Sequence, residues 1–377
     1  MTRSTTRHVL LLIAACALTP AIAAAQPRSI PMAESSWESV FGTMAFKPHK
    51  GAQAMVMGGD SAASVKGLTF TNGTVEFDVD FTSMGGGLAF HMRDRQALEL
   101  LYFRPQSNCE TRPDCVQYAP FTKGVLLWDV FPQYQSSAPV RQGEWNHVKV
   151  VISGRRMNVF VNRGSSPALS IGSLEGDVHE GQLALFGPGA FANFSVHPNA
   201  VEGLTPGAAA DPSAADKRVV RQWQLAPFSD LADGAEPSIA DLPKPPAQWR
   251  AIDAERGGFV NITRVYGLPA KRPARSVTWL TTTITSATSQ TKQAAIGWGR
   301  EVWVFVNGAR VFADKNPYQP PDTRKAPDGR IALANGTLTL PLKAGQNEIA
   351  IAVANNFYGW GVILRLDDLE GIRLMRQ

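Results

Sequence analysis

The sequence predicts an all-β chain, two β-sandwich domains joined by a Pro/Ala/Gly-rich linker. Residues 74–81, Thr-Val-Glu-Phe-Asp-Val-Asp-Phe, alternate polar and apolar side chains without a break, the pattern of a strand with one buried face. No stretch shows the 3.6-residue apolar period of an amphipathic helix. Between two strand-rich regions, residues 198–213 lose the alternation and fill with Pro, Gly and Ala, as a linker does.

Residues 1–25 stand apart from the fold. Arg3 and Arg7 precede an apolar run that closes on Ala23-Ala24-Ala25, the layout of a cleaved secretory signal. A lipobox at Ile13-Ala14-Ala15-Cys16 is the alternative reading of the same segment. Export to the periplasm or beyond is expected. No later run approaches the ~20 apolar residues of a membrane-spanning helix. The expected domains are 31–197 and 217–377, with the linker at 198–216.

Loss of residues 1–25 removes two arginines and no acid, so the formal charge falls from +5 to +3. Both signs are interspersed, which gives no footprint for nucleic acid. Outside the leader there are two cysteines, Cys109 and Cys115; in an oxidising compartment they are expected to form a disulfide, a metal pair being the alternative.

In the first region, strands are expected at 74–81, 87–93, 97–104, 124–130, 144–153, 157–162, 182–186 and 192–196. Period-two geometry sets Phe77, Val79 and Phe81 against Glu76, Asp78 and Asp80. Leu88, Phe90 and Met92 oppose His91 and Arg93 in the same way, Leu101 and Phe103 oppose Tyr102 and Arg104, and Val116 and Tyr118 flank Gln117. With the apolar sets inside, Asp78, His91, Arg93, Tyr102, Arg104, Gln117 and Trp128 are expected to share an exposed face. Rings that stack on sugar C–H faces and polar groups that bond hydroxyls would suit a glycan there. In the second region strands are expected at 219–225, 259–265, 276–286, 294–298, 301–307, 309–313, 337–342, 347–354 and 361–367. Asn307-Gly308 is the type I′ turn of a hairpin. Trp303 is expected to pack under a loop, whereas Trp298, between two glycines, is open to either role. His49, His147, His179 and His197 read as surface or turn residues.

The segments Gly73-Thr74-Val75-Glu76-Phe77-Asp78, Leu101-Tyr102-Phe103-Arg104-Pro105 and Glu144-Trp145-Asn146-His147-Val148-Lys149, followed by Asn158-Val159-Phe160-Val161-Asn162, resemble a concanavalin A-like, laminin G-type domain over about residues 37–197. Val302-Trp303-Val304-Phe305-Val306-Asn307-Gly308, Asn347-Glu348-Ile349-Ala350-Ile351 and Phe357-Tyr358-Gly359-Trp360-Gly361 resemble a galactose-binding-like jelly roll, an accessory domain of secreted carbohydrate enzymes, over about 217–377. That resemblance implies a ligand site at strand-joining loops. Residues 316–319 and 355–360 are the places to look, with Tyr358 and Trp360 as binding candidates.

Glu76-x-Asp78-x-Asp80 also resembles the Glu-x-Asp-x-Glu catalytic strand of laminarinase-type glucanases, whose outer carboxylates serve as nucleophile and acid. Asp80 departs from that pattern. Glu76 and Asp80 start about 13 Å apart along a strand, against ~5–5.5 Å for a retaining pair; Glu76 and Asp78, at ~6.6 Å, fall in the inverting range. No nucleophile elbow, phosphate loop or His-Glu-x-x-His site is present. No cofactor is expected; a structural calcium would draw on Asp314, Asp322, Asp367 or Asp368. The sequence therefore favours an exported, non-catalytic carbohydrate-binding protein. A glycoside hydrolase using Glu76, Asp78 or Asp80 and a protein-interaction module are the alternatives. A glycan panel with a reducing-sugar assay separates them.

Overall fold

The computed structural model describes residues 26–245, 247–270 and 274–374. The leader expected at 1–25 lies outside them. The described chain folds as four antiparallel sheets packed in two pairs.

The first sheet runs Leu169–Ile171, Arg156–Val161, Trp145–Ser153, Gly73–Asp80, Gly189–Pro198, Ala52–Met57, Met44–His49. The second runs Val125–Leu126, Val116–Thr122, Ala97–Phe103, Gly87–Asp94, Gln182–Phe186, Ala62–Val65, Trp37–Phe41. Between them lies one core: Phe77 and Val79 from the first sheet meet Leu101, Phe103, Val116 and Tyr118 from the second. Burying such a side chain contributes about 2 kcal/mol, so the alternation in each strand fixes which face turns inward. Short-range alternation thus becomes a two-layer sandwich.

The second pair is smaller on one side. Its larger sheet contains Arg275–Ser286, Gly345–Asn355, Arg300–Val306 and Ala309–Asn316; the facing sheet contains Val260–Asn261, Gly361–Leu366, Gln290–Trp298 and Gly336–Leu342. Asn307 (φ 49°) and Gly308 (φ 83°) both take the left-handed conformation that a type I′ turn requires, so the hairpin expected there forms. Trp303 is buried with Trp279 and Phe305 under Leu231, Ile239 and Trp249, the packing the sequence predicts. Residues 259–265 are not one strand: Asn261 accepts a hydrogen bond from Arg264 N (3.1 Å) and caps a short helix, Ile262–Tyr266. Residues 124–130 also differ, with a strand only at Val125–Leu126 and turns beyond it.

The stretch read as a linker is tied down on both sides. Pro206 O accepts from Arg155 N (2.9 Å), while the carbonyls of Ala209 and Ala210 accept from Arg256 at 2.8 Å. Cys109 and Cys115 form a disulfide, Cα atoms 5.4 Å apart. The loop it closes supports Arg104, whose backbone N–H donates to Cys115 O at 2.9 Å. Replacing both cysteines by alanine is expected to cost about 2 kcal/mol in urea denaturation, the value for so small a loop.

Candidate functional site

The outer face of the second sheet is where the predicted residues converge. Tyr102 points away from Leu101 and Phe103, and so outward. Its hydroxyl donates to Gln117 Oε1 (2.7 Å) and accepts from Arg104 Nη2 (2.6 Å). Gln117 Nε2 donates to Trp128 O at 2.7 Å. Trp128 in turn meets two loops of the second sandwich, with Tyr318 at 4.7 Å and Tyr358 at 5.6 Å between ring centroids, both edge-on. Tyr102, Arg104, Gln117, Trp128 and Tyr358 therefore form one constellation across both halves of the chain. Gln117 is fully buried and Tyr102 and Trp128 are each 6% exposed, so these three brace the site instead of lying open on the face where the alternation placed them.

Beside this brace lies a cleft of about 970 Å³, floored by Leu100 and Tyr102 and walled by Phe121, Phe186, Phe357 and Tyr358. Asp60, Ser83, Lys123 and Asn356 supply polar groups along it. Tyr358 holds its place through a left-handed backbone (φ 57°) and a carbonyl that accepts from Asn355 Nδ2 (3.0 Å). The next residue must be glycine, because a β-carbon there would collide with Asp129 and Val130. Gly359 N donates to Asp129 Oδ1 at 3.0 Å, and Arg300 forms a buried ion pair with the other oxygen of the same carboxylate. Burial pushes the Asp129 carboxyl above its ordinary range, a pull that Arg300 and Gly359 oppose.

Four predicted residues lie elsewhere. Asp78 belongs to the first sheet, on the opposite outer face of the sandwich from Tyr102, so it shares no surface with the cleft. His91 is buried; a bulge in Gly87–Asp94 gives it φ 48°, resets the parity and turns Met92 outward in its place. Its Nε2 bonds Thr71 O at 2.8 Å, and burial lowers its pKa to about 4. Arg93 is exposed and paired with Asp94 (3.2 Å). Trp360 is a core residue, fully buried with its indole N–H on Val353 O (3.1 Å). Trp298 is likewise enclosed in that core.

The carboxylates of Glu76, Asp78 and Asp80 are each engaged. His147 lies between two of them, Nδ1 2.8 Å from Asp78 and Nε2 3.2 Å from Glu76; Asn193 donates to Asp78 at 2.7 Å. Asp80 is nearly buried, which raises its pKa, but Lys50 (2.6 Å) and His49 (2.7 Å) more than offset this and leave it lowered. A general acid needs the opposite shift. The histidines on this face, expected as surface or turn residues, are partly exposed partners of the acidic row. Of the calcium candidates, Asp314 pairs with Lys325 (2.6 Å) and Asp368 with Lys292. Among the described residues no three His, Cys, Asp or Glu side chains are grouped to hold a metal ion, and no helix is long and apolar enough to cross a membrane.

Sequence reasoning missed Phe121, Phe186, Asp129 and Arg300. Tyr318 and Phe357 fall in the two loops it marked, without being singled out as binding candidates.

No family model and no curated protein matches the chain. Among solved structures, it is similar to carbohydrate binding module CBM66 from Bacillus subtilis, at 18% identity and TM-score 0.32, over 42% of this chain and 91% of that one. Domain 4 of AbnA, a GH43 extracellular arabinanase from Geobacillus stearothermophilus solved with arabinotriose, gives 13% identity and TM-score 0.30 over 43% and 78%. The exoplasmic/lumenal domain of VIP36 gives 13% and 0.29 over 45% and 86%. At these scores the likenesses carry no argument about ligand or activity.

Proposed function

We propose that this is an exported carbohydrate-binding protein in which two domains, 31–197 and 217–377, build one saccharide cleft and do no covalent chemistry. The observation that carries the reading is the cleft itself: four half-buried aromatic rings over a sheet face, with Asp60, Ser83, Lys123 and Asn356 beside them. Aromatic rings bury the C–H faces of a pyranose, and the polar groups satisfy its hydroxyls and set its orientation. Tyr102, Arg104, Gln117 and Trp128 position the wall that Tyr358 contributes. The engaged state of Glu76, Asp78 and Asp80, on the other side of the sandwich, favours binding over hydrolysis.

The test is a glycan array followed by calorimetry. Tyr358→Ala and Phe121→Ala are each expected to weaken binding about tenfold, the loss of one stacking ring at 1–1.5 kcal/mol. Release of reducing ends, abolished by Asp78→Ala, would replace this reading with a hydrolase.

A further inference from the structure

The polar groups of the cleft stand at its mouth, and this narrows the ligand class. Resting on the carbohydrate reading above, we propose that the cleft selects glycans in which apolar substituents, acyl esters or methyl groups, take the place of some ring hydroxyls.

Three of the four polar side chains on the lining, Asp60, Ser83 and Lys123, are exposed and so belong to the mouth. The fourth, Asn356, already donates its amide to Ala274 O at 3.1 Å. Deeper in, Leu100 and Tyr102 are buried, and Phe121, Leu126, Phe186 and Leu268 are half-buried. The Tyr102 hydroxyl is committed to Gln117 and Arg104, at 2.7 and 2.6 Å. The N–H groups of Gly85, Gly124 and Gly187, which also line the cleft, donate to the carbonyls of Phe103 (2.8 Å), Gln96 (2.9 Å) and Ser61 (2.9 Å). Tyr358 adds one hydroxyl to the wall.

An unsubstituted pyranose carries hydroxyls all round its edge. Stacking one face on an aromatic wall still turns part of that edge toward the floor, where a hydroxyl stripped of water meets carbon, and a hydrogen bond left unmade is costly. A methyl or acyl carbon in the same place gains by leaving water and packs against Leu126 and Leu268. Met84 argues likewise. It is 63% exposed, one of two large apolar side chains left open to solvent among the described residues, and it lines this cleft, whereas the other, Phe228, does not. An apolar substituent entering the mouth would cover its side chain. Ester acyl groups and the methyl of a 6-deoxy sugar share this chemistry, so the two sources are told apart by measurement.

Calorimetry with the full mature chain compares acetylated xylo-oligosaccharides with the same sample deacetylated by alkali, and L-rhamnose with L-mannose, which differ only in the methyl that replaces a hydroxymethyl group. In at least one pair the more apolar member is expected to bind at least about tenfold more tightly; the acetyl pair alone assigns the acyl source and the rhamnose pair alone the methyl source. Leu126→Gln, which puts a bonding group inside the cleft, is expected to bring that ratio close to one. Met84→Gln, at a position already in solvent and therefore no threat to folding, is expected to lower it about threefold. Equal binding within both pairs, or preference for the deacetylated form and for mannose, with affinity lost in Tyr358→Ala, overturns this inference and leaves the carbohydrate reading standing. Binding of none of the four, nor of any glycan on the array, overturns both.

Discussion

Asp129→Ala is expected to destabilise the protein by about 3–5 kcal/mol, the cost of stranding a buried charge. Asp129 and Arg300 have side chains 0% and 8% exposed, so water cannot replace the lost partner. Arg300 would keep only the carbonyls of Phe357 and Asn316, each at 3.2 Å, and Gly359 N would lose its acceptor. The exposed Arg93–Asp94 pair is the control, with an expected loss of at most about 1 kcal/mol for Asp94→Ala. Urea denaturation compares the two. A loss no larger for Asp129 than for Asp94 would mean that the joint between the sandwiches is solvated. The same variant loosens Tyr358, so glycan affinity is expected to drop with stability.

Stability is also expected to decline as the pH rises through 7, and Glu99→Gln to flatten that decline. Glu99 is fully buried, and burial holds its carboxyl at about 7 in spite of hydrogen bonds from the Tyr118 hydroxyl (2.6 Å) and Gly176 N (3.1 Å). In the unfolded chain it returns to the ordinary 4.5. The folded state therefore holds this proton more tightly, and the stabilisation is complete below pH 4.5 and lost as pH climbs through about 7. The expected difference is about 3 kcal/mol across the window. Glu175, raised by burial beside Tyr134, contributes with the same sign. Denaturation midpoints at pH 5, 6, 7 and 8 decide it; a midpoint that rises over that range would show Glu99 ionised and stabilised in the fold.

Local patterns in the sequence predicted local structure well. The alternation of 74–81 placed Phe77 and Val79 inside, and Asn307-Gly308 specified its turn, because both depend on near neighbours. His91 failed for an equally local reason that letters do not encode: a bulge residue in its strand turns His91 inward and Met92 outward. Asp78 failed for a non-local reason, since membership of the first or second sheet is decided by pairing with Trp145–Ser153 and Gly189–Pro198, far along the chain. Trp360 sits in a glycine-rich loop like a ligand contact, and only the fold shows that it turns into the core. The meeting of Trp128 with Tyr318 and Tyr358 had no sequence signal at all, because it arises from the packing of one sandwich against the other.

That docking has a consequence for inheritance. Partners 171 positions apart share one enclosed ion pair, so neither half can be traded for an unrelated module without marooning a charge. Gene shuffling, which redistributes freestanding binding modules among enzymes, would have to move this chain as a single cassette. Descendants that kept only one half should carry substitutions at Asp129 or Arg300.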